Sequence, residues 1–248
     1  MRIVVAGATG TVGRHIMTAA RARGHESVAV TRSNGVDVIA GGPPMDEAVA
    51  GADALIDVTS VATMDADVST AFFRAAATNL LASAHRAGVG HVVLLSIVGI
   101  DLNPHGYYAG KLAQEAVYAQ SPQPWTTVRA TQFHEFAAQV APQAKLGPVQ
   151  LAPRARVQPV AAAAVGEHLV TLAEGMPQRR ATDIAGPREE QLSAMIRAWV
   201  RHRGGRGPVL AVSVPGAQMR GMRRGLALPH ADARLMGPTF ADWLAQLR

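Results

Sequence analysis

At 248 residues, with 48% apolar and 17% charged side chains, the chain can bury one sizeable core and is too apolar to be a disordered segment. It contains no cysteine, which excludes disulfides, thiolate nucleophiles and cysteine-ligated metals. The formal charge of +6 raises the question of a nucleic-acid partner. Much of the excess lies between Gln191 and Gly225, where there are seven arginines and no acid, but only Trp199 is there to stack on a base. A solvated basic surface is therefore expected, and no nucleic-acid partner.

In chain order, the apolar run Arg2–Ala6 reads as a strand, and a helix follows from about Val12 to Arg23, ended by Gly24. The run is too short for a signal-peptide core and nothing later reaches the length of a membrane span, so a cytoplasmic protein is expected. Ser27–Thr31 reads as a second strand and Val36–Ile39 as a short third one. After a loop and a short helix in GGPPMDEAVAG come the strand Ala54–Val58, a long helix Asp67–Ala87 ended by Gly88, and the strand His91–Ser96. A helix over Tyr107–Ala119 and the strand Trp125–Ala130 close the regular alternation. Beyond it, prolines 142, 148, 153 and 159 mark loops. Helices are expected at Ala161–Ala173, Gln191–Arg201 and Phe240–Leu247, with a late strand at Thr182–Ala185.

Strands alternating with helices predict βαβ units and a parallel sheet. The fold class is thus α/β, a Rossmann-type doubly wound parallel sheet with a small C-terminal substrate lobe covering its open end. A single domain is expected, with a core over 1–136 and, over about 137–248, segments that complete the sheet and build the lobe.

Between the first strand and its helix lies GATGTVG, a G-x-x-G-x-x-G spacing. Gly7 suits a tight turn, Gly10 a close backbone approach to a pyrophosphate, and Gly13 close packing of helix on strand. The helix N-terminus offers free N–H groups and partial positive charge to phosphates. The bland alternative is a tight turn without ligand, but the strand before and the helix after favour a dinucleotide. An NAD site ordinarily has an acid at the end of the second strand to accept from the ribose hydroxyls. Here that position reads Thr31-Arg32-Ser33. The Arg32 guanidinium and the Ser33 hydroxyl suit a 2′-phosphate, Arg14 offers a second charge, and NADPH (NADP) is expected in preference to NADH.

The stretches AGATGTVG, VAVTRS, GADALIDVTS, HVVLLSIVGI, YYAGKLAQE and VRATQFHEF, with the later PTFADWLAQL, together resemble the short-chain dehydrogenase/reductase superfamily. Within it they are similar to the atypical NmrA-like group of NAD(P)H-binding proteins, which includes quinone reductases. The resemblance implies that Thr9, Gly10, Thr11 and Val12 hold the pyrophosphate, and that Arg32 and Ser33 hold the adenosine phosphate. It also implies that Thr59 and Ser60 border the ribose, that Ser96 and Ile97 lie beside the nicotinamide, and that Thr131 and Phe133 cover its face.

Tyr107 and Lys111 lie four apart on one helix and share a face. A lysine ammonium there would lower the phenol pKa and bind the nicotinamide ribose, while the phenol gives a proton to a carbonyl oxygen. With Ser96 hydrogen-bonding the same oxygen, the set resembles the Ser–Tyr–Lys arrangement of the superfamily, although only eleven positions separate Ser96 from Tyr107. Tyr108 is the alternative residue to face the cofactor. The nine histidines form no H-E-x-x-H or similar pair, so no metal is expected. His134-Glu135 reads as a solvated helical pair that could instead face the substrate. The expected function is an NADPH-dependent oxidoreductase passing hydride to a small quinone or carbonyl. The alternative is a non-catalytic NADP(H)-binding redox sensor. Oligomeric state, substrate and the role of the arginine-rich stretch stay open.

Overall fold

The computed structural model describes residues 1–247. The main elements run β1 (Arg2–Ala6), α1 (Gly13–Ala22), β2 (Glu26–Val30), α2 (Pro43–Val49), β3 (Ala54–Asp57), α3 (Ala66–Arg86), β4 (His91–Ile97), α4 (Tyr107–Ala119) and β5 (Trp125–Ala130). They continue as α5 (Phe136–Val140), β6 (Lys145–Leu146), β7 (Val149–Pro153), β8 (Arg156–Val157), α6 (Ala162–Glu174), β9 (Arg179–Arg180), β10 (Ile184–Ala185) and β11 (Glu190–Gln191). The last are α7 (Leu192–His202), β12 (Val209–Val212), α8 (Ala217–Arg223), β13 (Arg234–Leu235) and α9 (Phe240–Gln246). They gather into two compact units that interleave along the chain. The first holds Met1–Ile97, Pro104–Arg129 and Ala163–Thr182; the second holds Val98–Asn103, Ala130–Ala162 and the chain from Asp183 on.

In the first unit the strand order is β2-β1-β3-β4-β5, with β9 beside Thr126 and Thr127 of β5. The pairs β1–β2, β1–β3 and β3–β4 are parallel. Ile3–Ala6, Ala54–Asp57 and His91–Ser96 are buried residue after residue, the pattern of strands covered on both faces. The order in which successive strands are added reverses at β1, with β2 on one side and β3 on the other, so the carboxyl end of β1 is the topological switch point where ligands bind in such sheets. Buried Ile16, Met17, Ala19 and Ala20 form the inner stripe of α1; burying each larger side chain contributes roughly 1.5–3 kcal/mol. Small residues set the helix contacts. A Cβ on Gly166 of α6 would lie 2.8 Å from His15 Cβ of α1, and one on Gly110 of α4 would lie 2.1 Å from Ser69 Oγ of α3. Ser69 Oγ also donates to the Tyr107 carbonyl (3.0 Å), tying the start of α4 to α3.

The expected third strand at Val36–Ile39 does not form. Gly35 turns the chain at φ 78°, the Val36 amide folds back to the Thr31 carbonyl, and the Asp37 carboxylate accepts from the Ile39 amide. Asn79 Nδ2 then takes up the Val38 and Ile39 carbonyls, so no ladder partners remain for a strand. Val36 still enters the core, beside Val30, Met45 and Leu80.

The second unit contains a sheet not expected from the sequence, in which β7 pairs β12 in parallel and β6 antiparallel. β8 and β11 form an antiparallel pair, while β10 pairs Ala130 and β13 in parallel. Its core includes Ala152, Val157, Leu192, Met195, Ile196 and Phe240. No helix among the described residues is long and apolar enough to cross a membrane.

Candidate functional site

The glycine turn at the end of β1 is shaped by backbone crowding. Gly7 has φ +87°, donates its amide to the Val30 carbonyl (3.1 Å), and a Cβ there would lie 2.6 Å from the Val58 oxygen. A Cβ on Gly13 would lie 2.1 Å from the Gly7 oxygen and 2.7 Å from backbone atoms of Ala8. Gly10 differs: it is exposed, and its Cβ would meet only the Gly7 oxygen, at 3.2 Å. Thr9 is exposed, Thr11 half-buried and Val12 buried at the N-cap of α1. No side chain caps α1 and its first turn carries no acid, so α1 itself places no anion at its positive end. A dinucleotide pyrophosphate fits this turn in charge and in the backbone approach that Gly10 leaves open.

At the end of β2 the Thr31 and Ser33 hydroxyls bond each other at 2.9 Å, and Arg32 is exposed in a short 3₁₀ turn with no carboxylate partner among the described residues. Arg14 is exposed on the first turn of α1. The donor set suits a phosphate better than ribose hydroxyls, because it offers a guanidinium and no carboxylate.

β3 ends in Asp57, fully buried. Its Oδ1 accepts from the Thr59 amide (2.9 Å) and hydroxyl (2.7 Å), and its Oδ2 from Gln114 Nε2 (2.7 Å) and the Tyr118 hydroxyl (2.9 Å). The turn this makes carries Ser60, whose hydroxyl lies 2.9 Å from the Tyr107 phenol oxygen. Tyr107 stands edge-on to Phe73, with ring centroids 5.4 Å apart. Burial raises its phenol above the ordinary value; the Ser60 hydrogen bond pulls it down and the Asp57 charge pushes it further up.

Lys111, 3% exposed, donates to the Leu95 carbonyl (2.7 Å) and to Gln114 Oε1 (2.5 Å), with Nζ 4.8 Å from the centre of the Phe73 ring. Burial lowers this ammonium to about 8, against the upward pull of the Asp57 and Glu115 charges. Lys111 thus stands in a buried polar cluster of α4, β3 and β4. The expected lowering of the Tyr107 phenol is not what the geometry gives, because the ammonium turns to Leu95 and Gln114 while the phenol turns to Ser60.

A family model described as NAD(P)H-binding matches residues 7–174, more than half of the chain. The chain belongs to this NAD(P)H-binding family. Its fold is the Rossmann-type one, shared along the whole chain with solved structures. An NADPH-dependent quinone oxidoreductase of Escherichia coli complexed with NADPH is 17% identical, with 98% of each chain covered and a TM-score of 0.71. A triphenylmethane reductase of Citrobacter sp. complexed with NADP(H) is 16% identical, with 96% of each chain covered and a TM-score of 0.72. A nucleoside-diphosphate-sugar epimerase of Staphylococcus aureus is 16% identical, covering 99% of this chain and 100% of its own, at 0.73. At such identities the likeness is one of fold. No curated protein sequence matches the chain.

The remaining expected site residues of this NAD(P)H-binding protein lie as follows. Ser96 is buried; its hydroxyl makes no hydrogen bond of standard geometry, and the polar group beside it is the Glu115 carboxylate. Burial would raise that carboxyl, but hydrogen bonds from Arg129, the neighbouring Ser96 hydroxyl and the Arg129 and Arg180 charges hold it below the ordinary value. Ser96 therefore faces an ion pair, with Arg129 at 2.7 Å from Glu115, while Tyr107 faces Ser60. Ile97 ends β4, half-buried. In the second unit the Thr131 hydroxyl donates to the Gln158 carbonyl (2.6 Å), and Phe133 bridges to Val160. His134 is buried against Phe240 and Trp243, its Nε2 3.0 Å from the Pro238 carbonyl; it precedes α5 and is not solvated.

Sequence reasoning missed Asp57, Gln114 and Tyr118. Two signals were there: an acid closing the apolar run ALID, and polar side chains at 107, 111, 114 and 118, the spacing of a buried helical stripe.

Proposed function

We propose that the protein is an NADPH-dependent oxidoreductase that passes hydride to a small quinone or carbonyl compound. The observation that carries this reading is the Ser60–Tyr107 hydroxyl pair (2.9 Å) at the carboxyl end of β3, in the same unit as the glycine turn. The Gly7–Gly13 turn would hold the pyrophosphate, and Arg32, with Ser33 and Arg14, the 2′-phosphate. Bound NADPH supplies a hydride from its nicotinamide. Tyr107, kept as a phenol by burial and by Asp57, gives its proton to the substrate oxygen as the carbon accepts the hydride, and recovers a proton through Ser60. The product is an alcohol, or a hydroquinone if a quinone takes the hydride and a proton.

One observation favours a second reading, an NADP(H)-binding redox sensor without catalysis: Lys111 is committed to Leu95 and Gln114 rather than to the phenol. Purified protein mixed with NADPH and a panel of quinones, aldehydes and ketones, followed by loss of nicotinamide absorbance, separates the two. Tight NADPH binding without turnover above background selects the sensor. Tyr107→Phe is expected to lower carbonyl turnover by about a hundredfold or more; unchanged turnover removes Tyr107 as the proton donor.

A further inference from the structure

Four donor groups of the first unit converge on a single buried carboxylate, and one of them, the Gln114 amide, reaches on to an ammonium. Asp57 accepts four hydrogen bonds, two from Thr59 and one each from Gln114 and Tyr118. The Gln114 amide can point only one way: its NH₂ must face the carboxylate and its oxygen must face the Lys111 ammonium. A buried anion and a buried cation are thus joined through one amide, each supplying the countercharge that the other needs in a low-dielectric interior. Asp57 also closes the turn that carries Ser60, the partner of Tyr107.

We propose that Asp57 is a positioning residue that organises both groups of the site: Lys111 through the Gln114 amide, and the Ser60–Tyr107 pair through the Thr59 turn. The inference rests on the reading of Tyr107 and Lys111 given above and adds a third residue to it. Its consequence is electrostatic as well as geometric. A negative charge at Asp57 favours the ammonium of Lys111 and disfavours the phenolate of Tyr107, so one carboxylate biases both groups toward their protonated forms. The other groups around Lys111 are accounted for. From α3 it meets the Phe73 ring, from β4 the Leu95 carbonyl, and on α4 it feels Glu115, a carboxylate already paired with Arg129 of β5. Asp57 is the carboxylate linked to it by hydrogen bonds.

The test needs no cofactor. The chain has only two lysines, Lys111 and Lys145, so ¹³Cε-lysine NMR follows both through a pH titration, with exposed Lys145 as internal control. In the wild-type protein the Lys111 midpoint is expected near pH 8. Asp57→Asn should lower it by about one pH unit or more while Lys145 stays put. The double variant Asp57→Asn/Gln114→Glu moves the negative charge one position along the relay and should return the midpoint to or above the wild-type value. Gln114→Met, which leaves the Thr59 and Tyr118 contacts of Asp57 in place, serves if Asp57→Asn does not fold, and should lower the midpoint as well. A folded Asp57→Asn or Gln114→Met variant with an unmoved Lys111 midpoint overturns the proposal. NADPH affinity measured by nicotinamide fluorescence on the same variants keeps the two readings apart. A shifted midpoint with unchanged affinity supports the relay and removes Lys111 from the cofactor site.

Discussion

The turn joining β1 to α1 and the cluster around Asp57 stand at the carboxyl ends of two paired strands, and they manage charge by opposite means. The turn uses backbone. Its resource is the uncapped end of α1, and its shape is enforced by two glycines whose Cβ atoms would strike carbonyl oxygens. The cluster uses side chains drawn from β3 and α4, with the Leu95 carbonyl of β4, and each bond in it depends on a particular donor facing a particular acceptor. A backbone site is fixed in shape and nearly indifferent to pH, whereas a side-chain site is adjustable one charge at a time.

The contrast is most severely tested at Gly13. Alanine there puts a methyl group 2.1 Å from the Gly7 oxygen and 2.7 Å from the Ala8 backbone, so Gly13→Ala is expected to cost about 3 kcal/mol or more, read as a large fall in Tm or loss of folded protein. The cluster should instead reveal itself through pH. Lys111 is lowered to about 8 in the folded chain from 10.5 when unfolded. Below pH 8 both states carry the proton and the full burial cost, roughly 3 kcal/mol, is present. Between the two values the unfolded chain holds the proton that the folded chain has released, so stability rises with pH; above the upper value neither is charged. Denaturant unfolding across this window should show the rise in the wild-type protein and lose it in Lys111→Met. At the dinucleotide end, Arg32→Ala should weaken NADPH binding about 10–100-fold and leave NADH binding nearly unchanged. An equal loss for both would falsify the 2′-phosphate assignment. Gly10→Ala is the mildest case. Stability within about 0.5–1 kcal/mol of wild type and NADPH affinity down about tenfold are expected, from thermal melts and fluorescence titration.

The same contrast explains what could be read from the sequence. A backbone turn is local, so seven consecutive residues from Gly7 to Gly13, between an apolar strand and an amphipathic helix, announced its shape. Strands β3, β4 and β5 and helix α4 were legible for the same reason: uninterrupted apolar runs, and helix ends marked by glycine or a polar turn. Val36–Ile39 misled because Val36 and Val38 serve the core from a turn closed by Asp37 and Asn79, a partner forty residues away. The sheet of β6, β7 and β12 was hidden by its short strands and by polar Gln150, which is buried because its amide serves the carbonyls of Ala141, Ala144 and Leu151. The Asp57 cluster was hidden by distance along the chain: nothing in residue 57 says that 114 and 118 will face it. Ser96 shows the converse. Its position at a strand end was legible, but the facing residue, Glu115, is set by how α4 packs on the sheet.

Gly110 lies in the interior of α4, one residue before the lysine, and takes no part in any chemistry described for the site. Yet the missing methyl group there is what lets α3 and α4 touch, and the Ser69 bond to the Tyr107 carbonyl depends on that touch. The phenol is therefore mounted on a helix-to-helix joint with almost no mechanical slack. On the proposed reading of Tyr107, a displacement of about 1 Å at that phenol costs about a hundredfold in rate, so an added side chain at this hidden joint would register as lost turnover with Tyr107 and Ser60 themselves unchanged.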